Sequence, residues 1–265
     1  MDTVQPSDNW QLGNPYERYV GRWSRRVAPA FLSWLDAPAG KRWLDVGCGT
    51  GALCAAIAEH CAPTSITGVE PSEGFLRIAR ETLAGRVRFC PGNAADIPLE
   101  DAAVDVVVSG LVLNFVPNPG AAFKEIARVA TRGAMFGAYV WDYAGKMELM
   151  RYFWDAAVAL DPGAARLDEG LRFPICRPDV LIAEVGNAGF REPEVTSIDV
   201  PTFFPSFQDY WEPFLGGQGP APSYAMSLDE PARSKLRDRI RQTLPVQADG
   251  SISLVARAWA VRATV

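Results

Sequence analysis

The segment Leu44-Asp45-Val46-Gly47-Cys48-Gly49-Thr50-Gly51 sets three alternating glycines behind a short apolar run. That is the composition of a strand-to-helix turn at which backbone must approach a ligand closely, a cradle for a cofactor. Gly47-x-Gly49-x-x-Ala52 also satisfies the dinucleotide pattern G-x-G-x-x-G/A, with Glu70 nineteen residues after Gly51, so the glycines alone do not choose between cofactors. Asp45 does. It stands two residues before the first glycine, near the end of an otherwise apolar strand, where an unpaired buried carboxylate costs several kcal/mol. A cation is expected beside it: a pyrophosphate would be repelled and a ligand carrying an ammonium group attracted.

Asp45 to Gly51 resembles motif I of the class I S-adenosylmethionine-dependent methyltransferases, and four further segments agree. Gly68-Val69-Glu70-Pro71-Ser72 resembles the family's acidic strand-end motif and Gly92-Asn93-Ala94 its adenine motif. Ile97-Pro98-Leu99 resembles the following loop, and Ser109-Gly110-Leu111 the motif after the fourth strand. The likeness is closest to small-molecule members related to quinone C-methyltransferases, with residues 16–200 as the core. Tyr19-Val20-Gly21-Arg22-Trp23-Ser24, together with Leu215-Gly216-Gly217-Gln218-Gly219-Pro220, resembles a bacterial subgroup.

The resemblance implies a Rossmann-like, doubly wound α/β fold. Its mostly parallel seven-stranded sheet would have order 3-2-1-4-5-7-6, with the last strand antiparallel. S-adenosyl-L-methionine is the implied cofactor and S-adenosyl-L-homocysteine the product. Asp45 would lie near the amino-acid end of the cofactor, with Gly47, Cys48 and Gly49 giving close backbone approach. Glu70, flanked by Pro71 and Ser72, would accept both ribose hydroxyls, a task for an acceptor-only carboxylate. Asn93 and Ala94 would meet the adenine, and Ser109, Gly110 and Asn114 would complete the cofactor wall. In related enzymes the N-terminal region closes over the site, which assigns Tyr16, Tyr19, Arg22 and Trp23 to its lining and makes Arg22 available to a carboxylate.

Two positions depart from the family. Asn93 stands where Asp usually accepts the adenine amino group; its carbonyl oxygen can do the same, with Asp96 as the alternative. Asn114 stands where many relatives carry His, so the commonest general base is missing. Methyl transfer needs little acid–base help, because the sulfonium is already activated and alignment does most of the work. If a proton must leave, Asp142 and Tyr143, directly after the fifth strand, are the candidate catalytic groups.

Elements that would position these residues follow from periodicity. Tyr16 to Leu35 reads as helical with one apolar stripe, divided by Pro29 into two helices. Strands are expected at 42–46, 65–70, 87–90, 104–109 and 134–141. Helices are expected at 51–60, at 73–83 with Ser72 as N-cap, and at 119–129 with Asn118 as N-cap. An inserted helix is expected at 147–160, a further helix at 178–188 and a strand at 192–200. Residues 201–250, rich in Pro, Gly and aromatics, read as a lid, and 252–262 as a returning strand. The expected division is an N-terminal lid over 1–36 and a methyltransferase domain over 37–265, with cap insertions at 142–176 and 201–250.

The 265 residues are 48% apolar and 22% charged, enough for a globular core. Twenty-six Lys and Arg against 31 Asp and Glu give a net charge of −5, which argues against nucleic acid or anionic lipid as partner. Five cysteines without a Cys-x-x-Cys pair and a single histidine leave no metal site in prospect. With no secretory signal and no uninterrupted apolar span, the expectation is a cytoplasmic enzyme, monomer or homodimer, acting on a small-molecule acceptor. The rivals are a nicotinamide-dependent oxidoreductase and a cofactor-binding protein without turnover.

Overall fold

A computed structural model of the chain describes residues 17–217 and 219–265, with side chains from Tyr19 onward, so Tyr16 and Gln218 lie outside the described residues. The chain divides into two compact units. Among the described residues, a sheet unit comprises 24–141, 175–198 and 258–265, and a cap unit comprises 17–23, 142–174 and 199–257.

In the sheet unit, α1 (Arg22–Leu35, which begins in the cap unit) precedes β1 (Arg42–Val46), α2 (Ala52–His60), β2 (Ser65–Glu70), α3 (Glu73–Thr82) and β3 (Arg88–Pro91). Next come β4 (Val104–Gly110), α4 (Pro119–Val129), β5 (Ala130–Trp141) and α7 (Pro178–Asn187). With β6 (Arg191–Phe204) and β7 (Ile252–Thr264) the strands form one seven-stranded sheet in the order β3-β2-β1-β4-β5-β7-β6. The β1, β2, β3, β4 and β5 pairings are parallel, and β7 runs antiparallel to β5. This is the Rossmann-like order expected, with the returning strand reversed.

Helices cover the sheet, so its central strands are apolar on both faces: Leu44, Val46, Val106 to Val108, Phe136 and Ala138 are all buried. The α1 stripe of Val27, Phe31 and Leu35 crosses β5 at Gly137, where a Cβ would come within 2.9 Å of both Phe31 and Leu35. Ser72 caps α3 by accepting from the Phe75 N–H, and Asn118 caps α4 by accepting from the Ala121 N–H.

One expectation fails. Pro29 does not divide the N-terminal helix; it lies inside α1, on the exposed face, where water can serve the carbonyl its missing N–H would have bonded. Residues 201–250, read as a lid, carry regular structure. Pro201–Phe204 extend β6, and α8 (Phe207–Trp211), α9 (Pro220–Ser227) and α10 (Glu230–Thr243) follow. Pro220 and Pro231 stand in the first turns of α9 and α10, where a missing N–H costs nothing, so these prolines start helices.

The cap unit also holds α5 (Glu148–Leu160) and the short α6 (Glu169–Arg172). Its core is aromatic: Phe153 stacks on Phe214 at 4.5 Å, Tyr19 meets Phe214 edge-on at 5.4 Å, and Tyr210 donates its hydroxyl to the Leu149 carbonyl at 2.7 Å. Most of the aromatics of 201–250 are buried in this packing, although Phe203 is exposed. Among the described residues, no helix is long and apolar enough to cross a membrane.

Candidate cofactor site

The carboxyl ends of β1, β2 and β4 meet at one edge of the sheet unit, with Asp45 in register with Gly68 of β2 and Val108 of β4. The chain leaves β1 through a turn bound to β2: the N–H groups of Gly47 and Cys48 both donate to the Val69 carbonyl, at 2.7 and 3.0 Å. Glu70 completes the tie. Its Oε2 accepts from the Gly49 N–H at 3.1 Å and its Oε1 from the Ser72 N–H at 2.9 Å. Gly47, Gly49 and Gly51 all have positive φ, so the turn requires their lack of a side chain. At Gly47 the requirement is double, because a Cβ there would lie 2.6 and 2.7 Å from the two γ-methyls of Val112.

Asp45 is 1% exposed. Its Oδ2 accepts from the Cys54 thiol at 3.2 Å, while its Oδ1 is buried without a partner. Burial, with Glu70 beside it, pushes the Asp45 carboxyl up to about 7 against the opposing Cys54 hydrogen bond. The hydrogen bond with Cys48 and burial push the Cys54 thiol well up, so it remains a neutral donor. Burial also raises Glu70, opposed by the Ser72 and Gly49 N–H groups. Two buried carboxyls at the mouth of a glycine cradle, one with an orphaned oxygen, form a site short of positive charge.

The sheet unit brings Asp45, Gly47, Cys48, Gly49, Glu70, Pro71 and Ser72 into this cradle. Ser109 is fully buried and donates to the Val46 carbonyl at 2.9 Å, a tie between β4 and β1. Asn93 is exposed, and its Oδ1 accepts from the Ala95 N–H at 2.9 Å, an Asx turn that leaves one lone pair for a ligand; Ala94 is half-buried beside it. Asp96 pairs backbone with Asn93 in an isolated bridge. Beyond Gly110, Asn114 is 9% exposed, with neither Oδ1 nor Nδ2 partnered. A buried amide in that state offers one donor and one acceptor group.

Tyr19, Arg22, Trp23, Asp142 and Tyr143 belong to the cap unit. Tyr19 and Trp23 are buried, and Trp23 packs edge-on against Phe204. Arg22 donates from Nη1 to both Asp209 oxygens, at 3.1 and 3.2 Å, and lies over the Trp23 and Phe204 rings. Its Nε and Nη2 are buried without partners, an open donor edge suited to a carboxylate. Asp142 closes a turn, accepting at Oδ2 from the Lys146 N–H and at its carbonyl from Gly145 and Met147. Tyr143 is buried, its ring tilted against Phe173 at 6.0 Å.

Sequence reasoning missed Cys54, which reads as one more small apolar residue of α2. Among the described residues, no cluster of His, Cys, Asp or Glu could hold a metal ion.

A methyltransferase-domain family matches residues 44–137, the stretch from β1 through most of β5. Over 194 residues the chain is 31% identical to malonyl-[acyl-carrier protein] O-methyltransferase of Geobacter sulfurreducens, covering 72% of this chain and 71% of that protein. It is 34% identical over 116 residues to demethylmenaquinone methyltransferase of Staphylococcus aureus, 43% of this chain and 46% of that protein. In fold it is similar to Haemonchus contortus phosphoethanolamine N-methyltransferase 2 solved with S-adenosyl-L-methionine. That match has a TM-score of 0.55 and 17% identity, covering 91% of this chain and 52% of that one. The chain belongs to the class I S-adenosylmethionine-dependent methyltransferase family. Its residues suit that cofactor: the orphaned Asp45 oxygen calls for a cation and the glycine cradle for close backbone approach.

Proposed function

We propose that the protein transfers the methyl group of S-adenosylmethionine to an O, N or C atom of a small apolar or aromatic metabolite. The observation that carries this reading is the pair of buried carboxyls, Asp45 and Glu70, at the glycine cradle. Asp45 would meet the ammonium end of the cofactor and Glu70 its ribose hydroxyls, while Asn93 and Ala94 would border the adenine. Bound there, the cofactor supplies a methyl group already activated on a sulfonium. The chain's own work is then alignment and the exclusion of water. Asn114 offers a donor and an acceptor without titrating, and Asp142 or Tyr143 would take a proton where the acceptor has one to lose. The demethylmenaquinone methyltransferase among the relatives supports an acceptor with an apolar body.

The test uses S-adenosylmethionine labelled in the methyl group and a whole bacterial extract as the acceptor pool. The label is expected in solvent-extractable small molecules, with Glu70→Ala reducing incorporation at least tenfold. Label in protein or nucleic acid, or no incorporation, would contradict the reading. Once an acceptor is in hand, an unchanged pH profile in Asp142→Asn would remove Asp142 as base.

A further inference from the structure

The first residue of α1 is a cation that its neighbours use only in part. Arg22 lies in the cap unit with its guanidinium over the rings of Trp23 and Phe204, at 4.5 and 4.9 Å. Nη1 alone is engaged, donating to both Asp209 oxygens at 3.1 and 3.2 Å. Nε and Nη2, which share one edge of the guanidinium plane, are buried without a hydrogen-bond partner. The Arg22 side chain as a whole keeps 31% of its surface, so the group is reached from solvent. Thr202 adds a third donor. It stands two residues before Phe204 on β6, where burial alternates, so the two side chains share one buried face of the strand. Thr202 is 1% exposed, and its Oγ1 is likewise without a partner.

Two rings and one carboxylate hold the guanidinium in a fixed plane, and none of the three uses the Nε–Nη2 edge. Anchoring to Asp209 needs only a point charge, which a lysine would supply; the planar fork left over is what an arginine adds. Buried donors of a cation without acceptors are costly, and two parallel N–H groups on one edge match the two oxygens of a carboxylate. The Thr202 hydroxyl can donate to the same group. Asp209 selects among anions, because its charge at the end of the same guanidinium repels a dianionic phosphate more strongly than a singly charged carboxylate. Trp23 and Phe204 border the edge with apolar surface, where exclusion of water strengthens the pairing.

We propose that Arg22 and Thr202 form a carboxylate-recognition site in the cap unit for the methyl acceptor, whose class is then a small carboxylic acid with an apolar or aromatic body. The proposal deepens the methyltransferase reading and rests on it. The guanidinium edge takes both carboxylate oxygens, and the Thr202 hydroxyl donates to one of them. No covalent bond changes at this site. It holds the acceptor by its acid group, whose lone pairs are thereby engaged, and the methylated atom lies elsewhere on the molecule. An S-adenosyl cofactor also carries a carboxylate, so the test separates the two sources.

The test uses the fluorescent probe 2-naphthoate and its neutral amide, 2-naphthamide, on the full chain with and without saturating S-adenosylhomocysteine. The wild-type protein is expected to bind 2-naphthoate at least tenfold more tightly than 2-naphthamide in both conditions. Arg22→Lys keeps a charge beside Asp209 but not the fork, and is expected to weaken 2-naphthoate at least fivefold while 2-naphthamide is unaffected. Thr202→Val keeps the shape but not the hydroxyl, and is expected to weaken 2-naphthoate at least threefold, again without effect on the amide. This second variant keeps the proposal testable should Arg22→Lys fail to fold. Equal binding of the two probes by the wild-type protein, no binding of either, or a preference surviving undiminished in either variant would overturn it. Displacement of 2-naphthoate by S-adenosylhomocysteine would also overturn it, by assigning the edge to the cofactor's own carboxylate. S-adenosylhomocysteine binding without carboxylate preference defeats this proposal alone, and absence of S-adenosylhomocysteine binding defeats the methyltransferase reading.

Discussion

S-adenosylhomocysteine is expected to bind about tenfold more tightly at pH 8 than at pH 6, and to expel a proton as it binds. The proton is that of Asp45. In the free protein, burial and the neighbouring Glu70 hold this carboxyl near 7, so at pH 6 it is largely protonated. An ammonium group arriving at its unpartnered Oδ1 favours the ionised form and pulls its pKa down. Below pH 7 binding therefore requires ionisation, and affinity falls as pH falls; above pH 7 the dependence flattens. The sign for stability is opposite. A carboxyl whose folded pKa is raised stabilises the fold fully only below its unfolded pKa, and that contribution is lost as pH rises through about 7. The free protein thus gives up at most roughly 4 kcal/mol at this one group. Calorimetry at pH 6 in two buffers of different ionisation enthalpy counts the proton directly, and Asp45→Asn should abolish both the proton release and the pH dependence.

Replacing Gly47 with alanine is expected to lower stability by about 2–5 kcal/mol, a drop in melting temperature on the order of 10 °C. Two costs add. The backbone at Gly47 has φ of 74°, a left-handed conformation that costs an L-residue about 1–2 kcal/mol. The new methyl would also lie 2.6 and 2.7 Å from Val112, whose β-branched side chain cannot swing clear, an overpacking penalty of about 1–3 kcal/mol. Gly49→Ala is the internal control. Its φ is 53°, but nothing lies within 4 Å of a Cβ there, so only the conformational cost applies and the melting temperature should fall by less than half as much. Equal losses in the two variants would show that the Val112 contact carries no weight.

The parts of the fold legible from sequence are those whose signal is local. β1 and β2 fall at their expected bounds, and the Ser72 and Asn118 caps form as their side chains require. The alternating apolar runs that imply a parallel sheet do so because both faces of such a sheet are buried. Pro29 was misleading because a proline's effect on a helix depends on which face it occupies, and that is decided by the sheet beneath α1. The helices within 201–250 were hidden because Pro220 and Pro231 read as breakers but start them. At the site, Asp45 was conspicuous as a charge within an apolar strand, and Glu70 through its place at the end of β2. Cys54 gave no such signal. It matters through burial that only the packed chain creates and through its partner Asp45, nine residues before it.

The central claim is that the Asp45–Glu70 cradle holds an S-adenosyl cofactor. Calorimetric titration with S-adenosylhomocysteine, run beside NAD on the wild-type protein and on Glu70→Ala, tests it most directly. Glu70 carries the Gly49 and Ser72 N–H groups and faces the ribose in the proposed complex, so its loss should weaken S-adenosylhomocysteine at least tenfold, with no binding of NAD to either protein. Binding of NAD in place of S-adenosylhomocysteine, or S-adenosylhomocysteine binding indifferent to Glu70→Ala, would contradict the account.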